Sequence, residues 1–241
     1  MPRLALSPVA ALVAVVALLA LPSSASAEPD PMAGAPAVGD CFDVTYKQGM
    51  RLSLREEPVA CRRQHTLDTF VVGELPASVD WDSPADRIHR AVRDACVPAR
   101  DQVLGPNPAT QFLSLYDYLW FQPTPAQIES GARWFSCHFV LVGDHRLFPL
   151  RKEPSRLDRS RMPDSIARCA TRVSTYTACS APHTARAVHA VVVTKKATTR
   201  NVEAAAARVC PRHVPKGYSG YANRPLGPRS FVLACFARTR R

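Results

Sequence analysis

The sequence predicts an α+β protein of two small disulfide-stapled repeats, each an antiparallel sheet with one main helix. The pattern Ala-Cys-x-x-x-His-Thr occurs twice, at residues 60–66 and 178–184. After each copy come a β-branched apolar run, an amphipathic helical pattern that ends on a cysteine, and a closing strand with another cysteine. Eight cysteines thus fall four to a unit in the same order, which indicates an internal duplication.

The N-terminus predicts a secretory signal peptide over residues 1–27. Arg3 precedes an apolar run from Val9 to Leu21, and Ala25-Ser26-Ala27 provides the small residues typical of a cleavage site. The alternative is an uncleaved membrane anchor, because the uncharged stretch is close to the shortest that spans a bilayer. With either reading the rest of the chain is secreted or extracytoplasmic, where disulfides persist.

The first unit is predicted over residues 39–150, after a flexible Pro- and Ala-rich lead-in at 28–38. A strand is expected from Cys41 and a second at 69–73. Ser83 is expected to cap the main helix, with a proline at its first position and Cys96 at its end. Residues 88, 91, 92 and 95 of this helix share one apolar face.

The rest of the first unit begins with an aromatic segment, residues 112–121. We expect this segment to pack in the core, with an exposed binding stripe as the alternative. Thr124 then caps a short helix, Gln127 completes a capping box and Gly131 ends the helix. Residues 134–142 form the closing strand. Arg133 is a candidate ligand contact, but an ion pair with an acid such as Glu129 is the expected role.

A charged linker, residues 151–164, leads to a second, shorter repeat at 165–241. Thr199 is expected to cap its helix, which ends at Cys210. A turn-rich loop is predicted at 218–221. The strands are expected at 166–169, 176–179, 188–194 and 231–236.

The repeated order of cysteines predicts their pairing, which spacing alone cannot choose among 105 connectivities. The first two and the last two cysteines of each unit are expected to pair: Cys41–Cys61, Cys96–Cys137, Cys169–Cys179 and Cys210–Cys235. Cys-x-x-x-His could also supply two zinc ligands. Disulfides explain a secreted chain with paired cysteines better, so no metal or other cofactor is expected. His65 and His183 are then structural, each donating from its ring to a carbonyl where a strand begins.

Charge divides unequally between the two units. Residues 28–150 contain 11 Lys and Arg against 16 Asp and Glu, whereas residues 151–241 contain 19 against 4. The basic half suggests contact with a polyanion: an anionic wall polymer, anionic lipid headgroups or an acidic protein. A solvated surface, or docking onto the acidic half, remains an alternative. No nucleic-acid partner is expected outside the cytoplasm, and the oligomeric state is not predicted.

The first unit resembles the septum formation family, a group of actinobacterial extracytoplasmic domains. The matching residues are 38–42, 59–61 with His65, Cys96, and Pro123-Thr124 followed by Gly131, Arg133 and Cys137. The second unit resembles it more weakly and lacks the Gly-Asp-Cys-Phe start. Ile128 and Ala132 also depart from the family, which often has tryptophan and aspartate there. The resemblance implies a connection with cell division and brings no catalytic residues.

No pattern of catalytic residues stands out in the sequence. Nucleophile-elbow, zinc-protease and phosphate-loop motifs are absent, and no pair of carboxylates suggests an acid/base couple. Cysteines held in disulfides cannot act as nucleophiles. We therefore expect a non-catalytic cell-envelope interaction or structural protein associated with septum formation. The alternative is a cell-wall-active hydrolase with an unrecognised site, which converging carboxylates in a deep cleft would favour.

Overall fold

The computed structural model describes residues 29–150, 153–172, 175–214 and 216–239. The predicted signal peptide lies outside these residues, as do positions 151 and 152 of the predicted linker. The described residues form two antiparallel sheets, each with a main helix, and four disulfides. The predicted α+β class of two stapled units is confirmed.

The first unit has a sheet in the order β1-β2-β4-β3, with a short β5 paired to β4. Its strands are β1 Cys41–Phe42, β2 Leu67–Glu74, β3 Tyr116–Phe121, β4 Trp134–Gly143 and β5 Arg146–Phe148. Its helices are α1 Tyr46–Gly49, α2 Ala85–Leu104, α3 Pro108–Phe112 and α4 Pro125–Glu129.

The second unit has a sheet in the order β7-β6-β8-β10-β9 and the helix α5, Thr199–His213. Its strands are β6 Arg168–Arg172, β7 Thr175–Ala178, β8 Ala185–Val193, β9 Tyr218–Gly227 and β10 Ser230–Arg238. A 3-10 turn at Arg159–Arg161 lies in the segment that joins the units.

Each main helix packs one apolar face on its own sheet and is bonded to it through a cysteine. Four α2 positions at helical spacing are buried: Ile88, Val92, Cys96 and Leu104. The buried set of α5 is Val202, Ala205, Ala206 and Cys210. Removing these side chains from water supplies the main driving force for folding. The four disulfides join the predicted pairs, and none joins one unit to the other.

The helix ends differ from the predicted ones. Pro84 is the N-cap of α2, while the Ser83 hydroxyl bonds the Asp80 carboxylate instead of the helix. Both main helices also continue beyond their cysteines, to Leu104 and to His213. A disulfide fixes a helix to the sheet but satisfies no terminal carbonyl, so it does not end a helix. Thr198, rather than the next residue, caps α5.

The predicted loop at 218–221 is wrong, because these residues begin strand β9. Tyr221 pairs with Cys235 and Gly220 with Phe236. The register then shifts, so that Ser219 is left without a partner in β10. A β-bulge of this kind accommodates turn-type residues within a strand and bends it.

The two units share part of their cores. The short helix α3 of the first unit packs on β8 and β10 of the second, where Phe112 and Leu113 join a cluster of second-unit alanines. A backbone bridge pairs Ser114 with Ala167. The second sheet is therefore covered by its own α5 on one face and by part of the first unit on the other.

The predicted lead-in is bonded to the first unit. The Arg133 amide donates to the Pro31 carbonyl over 2.8 Å, and the Trp134 indole donates to the Ala33 carbonyl over 3.0 Å. The aromatic segment 112–121 covers the last residue of α3, a short connection and β3. Its residues are buried or half-buried, as expected for core packing, although Phe112 packs on the second unit.

Candidate functional site

An open groove of about 740 Å³ lies on the second sheet, on the face opposite α5. It exceeds three other described cavities of about 560, 460 and 290 Å³. Residues of all five strands, and the turn before β8, contribute to it. The lining consists of Ala170, Tyr176, Thr184, Ala185, Tyr218, Ser219, Gly220, Tyr221, Ala222, Asn223 and Phe236.

Two irregularities in β10 meet where the groove opens. Against β8 the register shifts between Cys235 and Phe236, and against β9 it shifts between Phe236 and Ala237. Bulges increase the local twist of a strand. The sheet therefore curls at this end, where the groove lies, while its alanines there, Ala170, Ala185 and Ala222, stay buried in the same cluster as Phe112 of the first unit.

Aromatic rings stand over this alanine floor. The Tyr176 and Phe236 rings are stacked, with centroids 6.1 Å apart and planes inclined by 19°. Burial raises the pKa of Tyr218, and the nearby Tyr221 raises it further. Both of these tyrosines remain more than a third exposed. The groove thus combines apolar ring faces with hydroxyl tips.

Arg168 holds Tyr176 from the other side, at the junction of the units. Its guanidinium carbon lies 4.9 Å from the centre of the Tyr176 ring and 4.7 Å from that of Phe112. Its Nε donates to the Phe112 and Ser114 carbonyls over 2.9 and 3.1 Å. Burial lowers the pKa of Arg168 to about 10, so it remains charged at neutral pH. This contact fixes one wall of the groove to the first unit.

A second cavity, of about 560 Å³, lies in the first unit beside the Cys41–Cys61 disulfide. His65, Asp68 and Glu153 are among its lining residues. Burial raises the pKa of Asp68; His65 opposes this shift and Glu153 adds to it. Potential ligand atoms of Cys41, His65 and Asp68 lie within 4.8 Å of one another. Because the Cys41 sulfur is bonded to Cys61, it is not a thiolate ligand, and the three do not form a complete metal set.

The two motif histidines make the predicted contact in both units. The Nδ1 of His65 donates to the Arg63 carbonyl over 2.9 Å, and the Nδ1 of His183 donates to the Ala181 carbonyl over 2.7 Å. Both rings are buried. Each is followed by a threonine whose hydroxyl and amide bond the chain after the unit's first cysteine. The repeated motif is therefore a repeated structural corner.

Gly131 and Arg133, the other two predicted motif residues, also stabilise the first unit. Gly131 has a φ of 98° and lies so close to Pro29 that an added Cβ would approach the proline Cβ to 2.4 Å. Arg133 donates to the carbonyls of Leu75, Pro76 and Val79. Its acidic partner is Glu74, over 3.4 Å, and not the expected Glu129.

Two groups of contacts made by histidines in the structure are not predicted from the sequence. His138 is fully buried between the Thr69 and Ser136 hydroxyls, and burial lowers its pKa to about 3. His189 and His213 stack with ring centroids 3.5 Å apart, and Arg159 donates to the Nδ1 of His189. Strand β4 is buried on both faces along almost its whole length, so no alternation of its residues signals that His138 lies in the core. The His189 pair joins a strand to a distant helix end, which no local pattern signals.

No protein-family model, curated protein or solved structure matches this chain. The four disulfides are typical of an oxidising, extracytoplasmic environment. None of the helices in the described part of the chain has the length and apolar composition needed to cross a bilayer.

Proposed function

We propose that this chain is a non-catalytic, extracytoplasmic binding protein of the cell envelope, and that its ligand occupies the groove of the second unit. The observation that carries the proposal is the groove itself. It is larger than the other described cavities, and aromatic and small residues line it together with a few hydroxyl and amide groups. Concave, mostly apolar sites with few polar groups are typical of ligand binding.

The positive charge of the second unit, which acidic residues do not balance, supports a binding partner for that unit. Of the ion pairs among the described residues, one joins the units, between Arg224 and Asp117 over 3.7 Å. The acidic unit therefore neutralises little of the excess of 15 positive charges in residues 151–241. An anionic wall polymer, anionic lipid headgroups or an acidic protein would complement this surface. The resemblance to the septum formation family favours an envelope site near the division septum.

The test is binding of the purified mature chain, residues 28–241, to isolated cell walls and to anionic vesicles at low and physiological salt. We expect co-sedimentation with walls that weakens as salt rises, because exposed charges are screened over about 8 Å at 0.15 M. Tyr218→Ala and Tyr221→Ala should weaken it. Leu226→Ala is the matched control, since Leu226 is equally exposed on β9 but lies outside the groove. If all variants bind equally, the groove is not the binding site. If the chain does not bind at low salt, the proposed binding function is wrong.

A fluorescent fusion that is functional outside the cytoplasm tests the septal site separately. We expect the fusion to concentrate at septa. An even distribution around the cell would contradict the septal part of the proposal and leave envelope binding in place.

The cavity beside the first disulfide supports a second candidate, a hydrolase. It places His65 near two carboxylates, and burial keeps the pKa of Asp68 above its usual value. Because Nδ1 of His65 donates to the Arg63 carbonyl, Nε2 is the ring nitrogen that could exchange a proton with a substrate. General acid/base catalysis uses such groups. Release of soluble fragments from cell walls by the native chain, lost in Asp68→Asn, would establish this function in place of binding.

A further inference from the structure

We propose that the groove of the second unit binds a glycan chain that carries anionic groups, with sugar rings stacked on its tyrosines. This inference rests on the proposed function and names the ligand class of the same site. It follows from the lining of the groove, from its direction across the sheet and from the charges beside it.

The lining matches the two sides of a sugar ring. A pyranose has an apolar face of C–H groups and a rim of hydroxyls. The rings of Tyr218 and Tyr221, each more than a third exposed, offer apolar surface of the same width beside the stacked pair of Tyr176 and Phe236. Ser219 and Asn223 add hydroxyl and amide groups that both donate and accept hydrogen bonds, and the Thr184 hydroxyl, which already donates to backbone carbonyls, can accept one. Ala170, Ala185 and Ala222, which are at least nine-tenths buried, form the floor of the groove with their short side chains.

The direction of the groove argues against a peptide bound as an added strand. Such peptides pair with the free edge of a sheet through main-chain hydrogen bonds. The groove instead draws residues from β7 at one edge of the sheet to β9 at the other, and β8 and β10 between them are paired on both sides. Its occupant crosses the strands and is held by side chains, as a flat-faced sugar chain can be.

Charge places the anionic groups of the ligand at one end of the groove. No lining residue is charged. Lys216 and Arg238 are exposed beside Tyr218, and the Arg238 amide donates to the Gly217 carbonyl. Neither cation forms an ion pair with any residue that the structure describes. Sugar rings would therefore occupy the uncharged groove while acidic substituents reach these two cations.

Titration of the mature chain with soluble oligosaccharides tests the inference. The probes are a neutral β-linked N-acetylglucosamine tetramer, an acidic oligosaccharide released from purified wall polymer, and a wall-type peptide without sugar. Binding is measured by calorimetry and by changes in the tyrosine resonances. We expect the acidic oligosaccharide to bind most tightly, the neutral tetramer more weakly and the peptide not at all.

Two pairs of variants separate stacking from charge. Tyr218→Ala should weaken both oligosaccharides about two- to tenfold, the usual range for one aromatic contact, while Leu226→Ala should not. Arg238→Gln should weaken only the acidic oligosaccharide, and chiefly at low salt. Arg229→Gln, at an exposed position in the hairpin between β9 and β10, is its control. Circular dichroism of every variant checks the fold.

The results of these titrations separate the glycan ligand from the proposed binding function. If the chain binds walls through the groove but binds neither oligosaccharide, the glycan ligand is excluded and the proposed binding function is retained. Preference for the peptide would overturn it in favour of a protein ligand. Equal affinity for neutral and acidic oligosaccharides would show that anionic groups of the ligand do not contribute to binding. Absence of binding to walls as well would overturn both proposals.

Discussion

At the residue scale, the motif histidines are held by one hydrogen bond in each unit. His65→Ala and His183→Ala should each lower the free energy of unfolding by about 1 kcal/mol, because each leaves a carbonyl without its donor. Chemical denaturation measures the loss. His145→Asn, at an exposed turn residue with a φ of 55°, is the control. Stoichiometric zinc in the purified native chain that both variants lose would contradict the structural role.

His138 gives the protein a predicted pH dependence. Its folded pKa, about 3, lies below the value near 6.5 of an unfolded histidine. The unfolded chain therefore binds a proton first as the pH falls, so stability is complete above about pH 6.5 and declines toward pH 3. At pH 5 the loss from this residue is about 2 kcal/mol.

Unfolding midpoints between pH 7 and 5 measure this effect. His138→Asn should be less stable at pH 7 but should show a flatter profile, because it cannot titrate. His189, whose pKa is lowered to about 4, titrates in the same range and remains in both proteins. The difference between the two profiles therefore isolates His138. Parallel profiles would contradict the prediction.

At the element scale, each main helix depends on its bridge to the closing strand. Replacing Cys210 and Cys235 by alanine opens a loop with a sequence separation of 25 and should cost about 3 kcal/mol. Denaturation of the double variant measures this. The same exchange at Cys169 and Cys179, separated by 10 residues, is the comparison and should cost less. A larger loss for the shorter loop would contradict the loop-closure argument.

At the scale of the whole molecule, the shared core predicts that both units unfold together. Helix α3 covers part of the second sheet, and Arg168 bonds two first-unit carbonyls. Fluorescence of the tryptophans, all in the first unit, and far-ultraviolet circular dichroism should follow one transition. Arg168→Gln should lower the free energy of unfolding by about 2 kcal/mol, because the carbonyls lose a charged donor. Arg229→Gln should leave it unchanged, and two separate transitions would show independent units.

Much of this fold follows from the sequence because its determinants are local or repeated. Periodic apolar residues place α2 and α5, and Thr124 with Gln127 fixes the start of α4 through the predicted capping box. The order of cysteines in two copies gives the four pairs. The same repetition predicts that the rings of His65 and His183 donate to nearby carbonyls, and both rings make such a contact.

Tertiary structure alone decided where the groove lies. The sequence of 218–221 has the composition of a turn, yet pairing with β10 makes it a strand that contributes to the groove. The alanines of β6, β8 and β9 look like ordinary core residues and are buried as such, yet three of them also line the groove. Which surface stays open depends on bulges and on packing between distant segments, and these arise from contacts that no local pattern encodes.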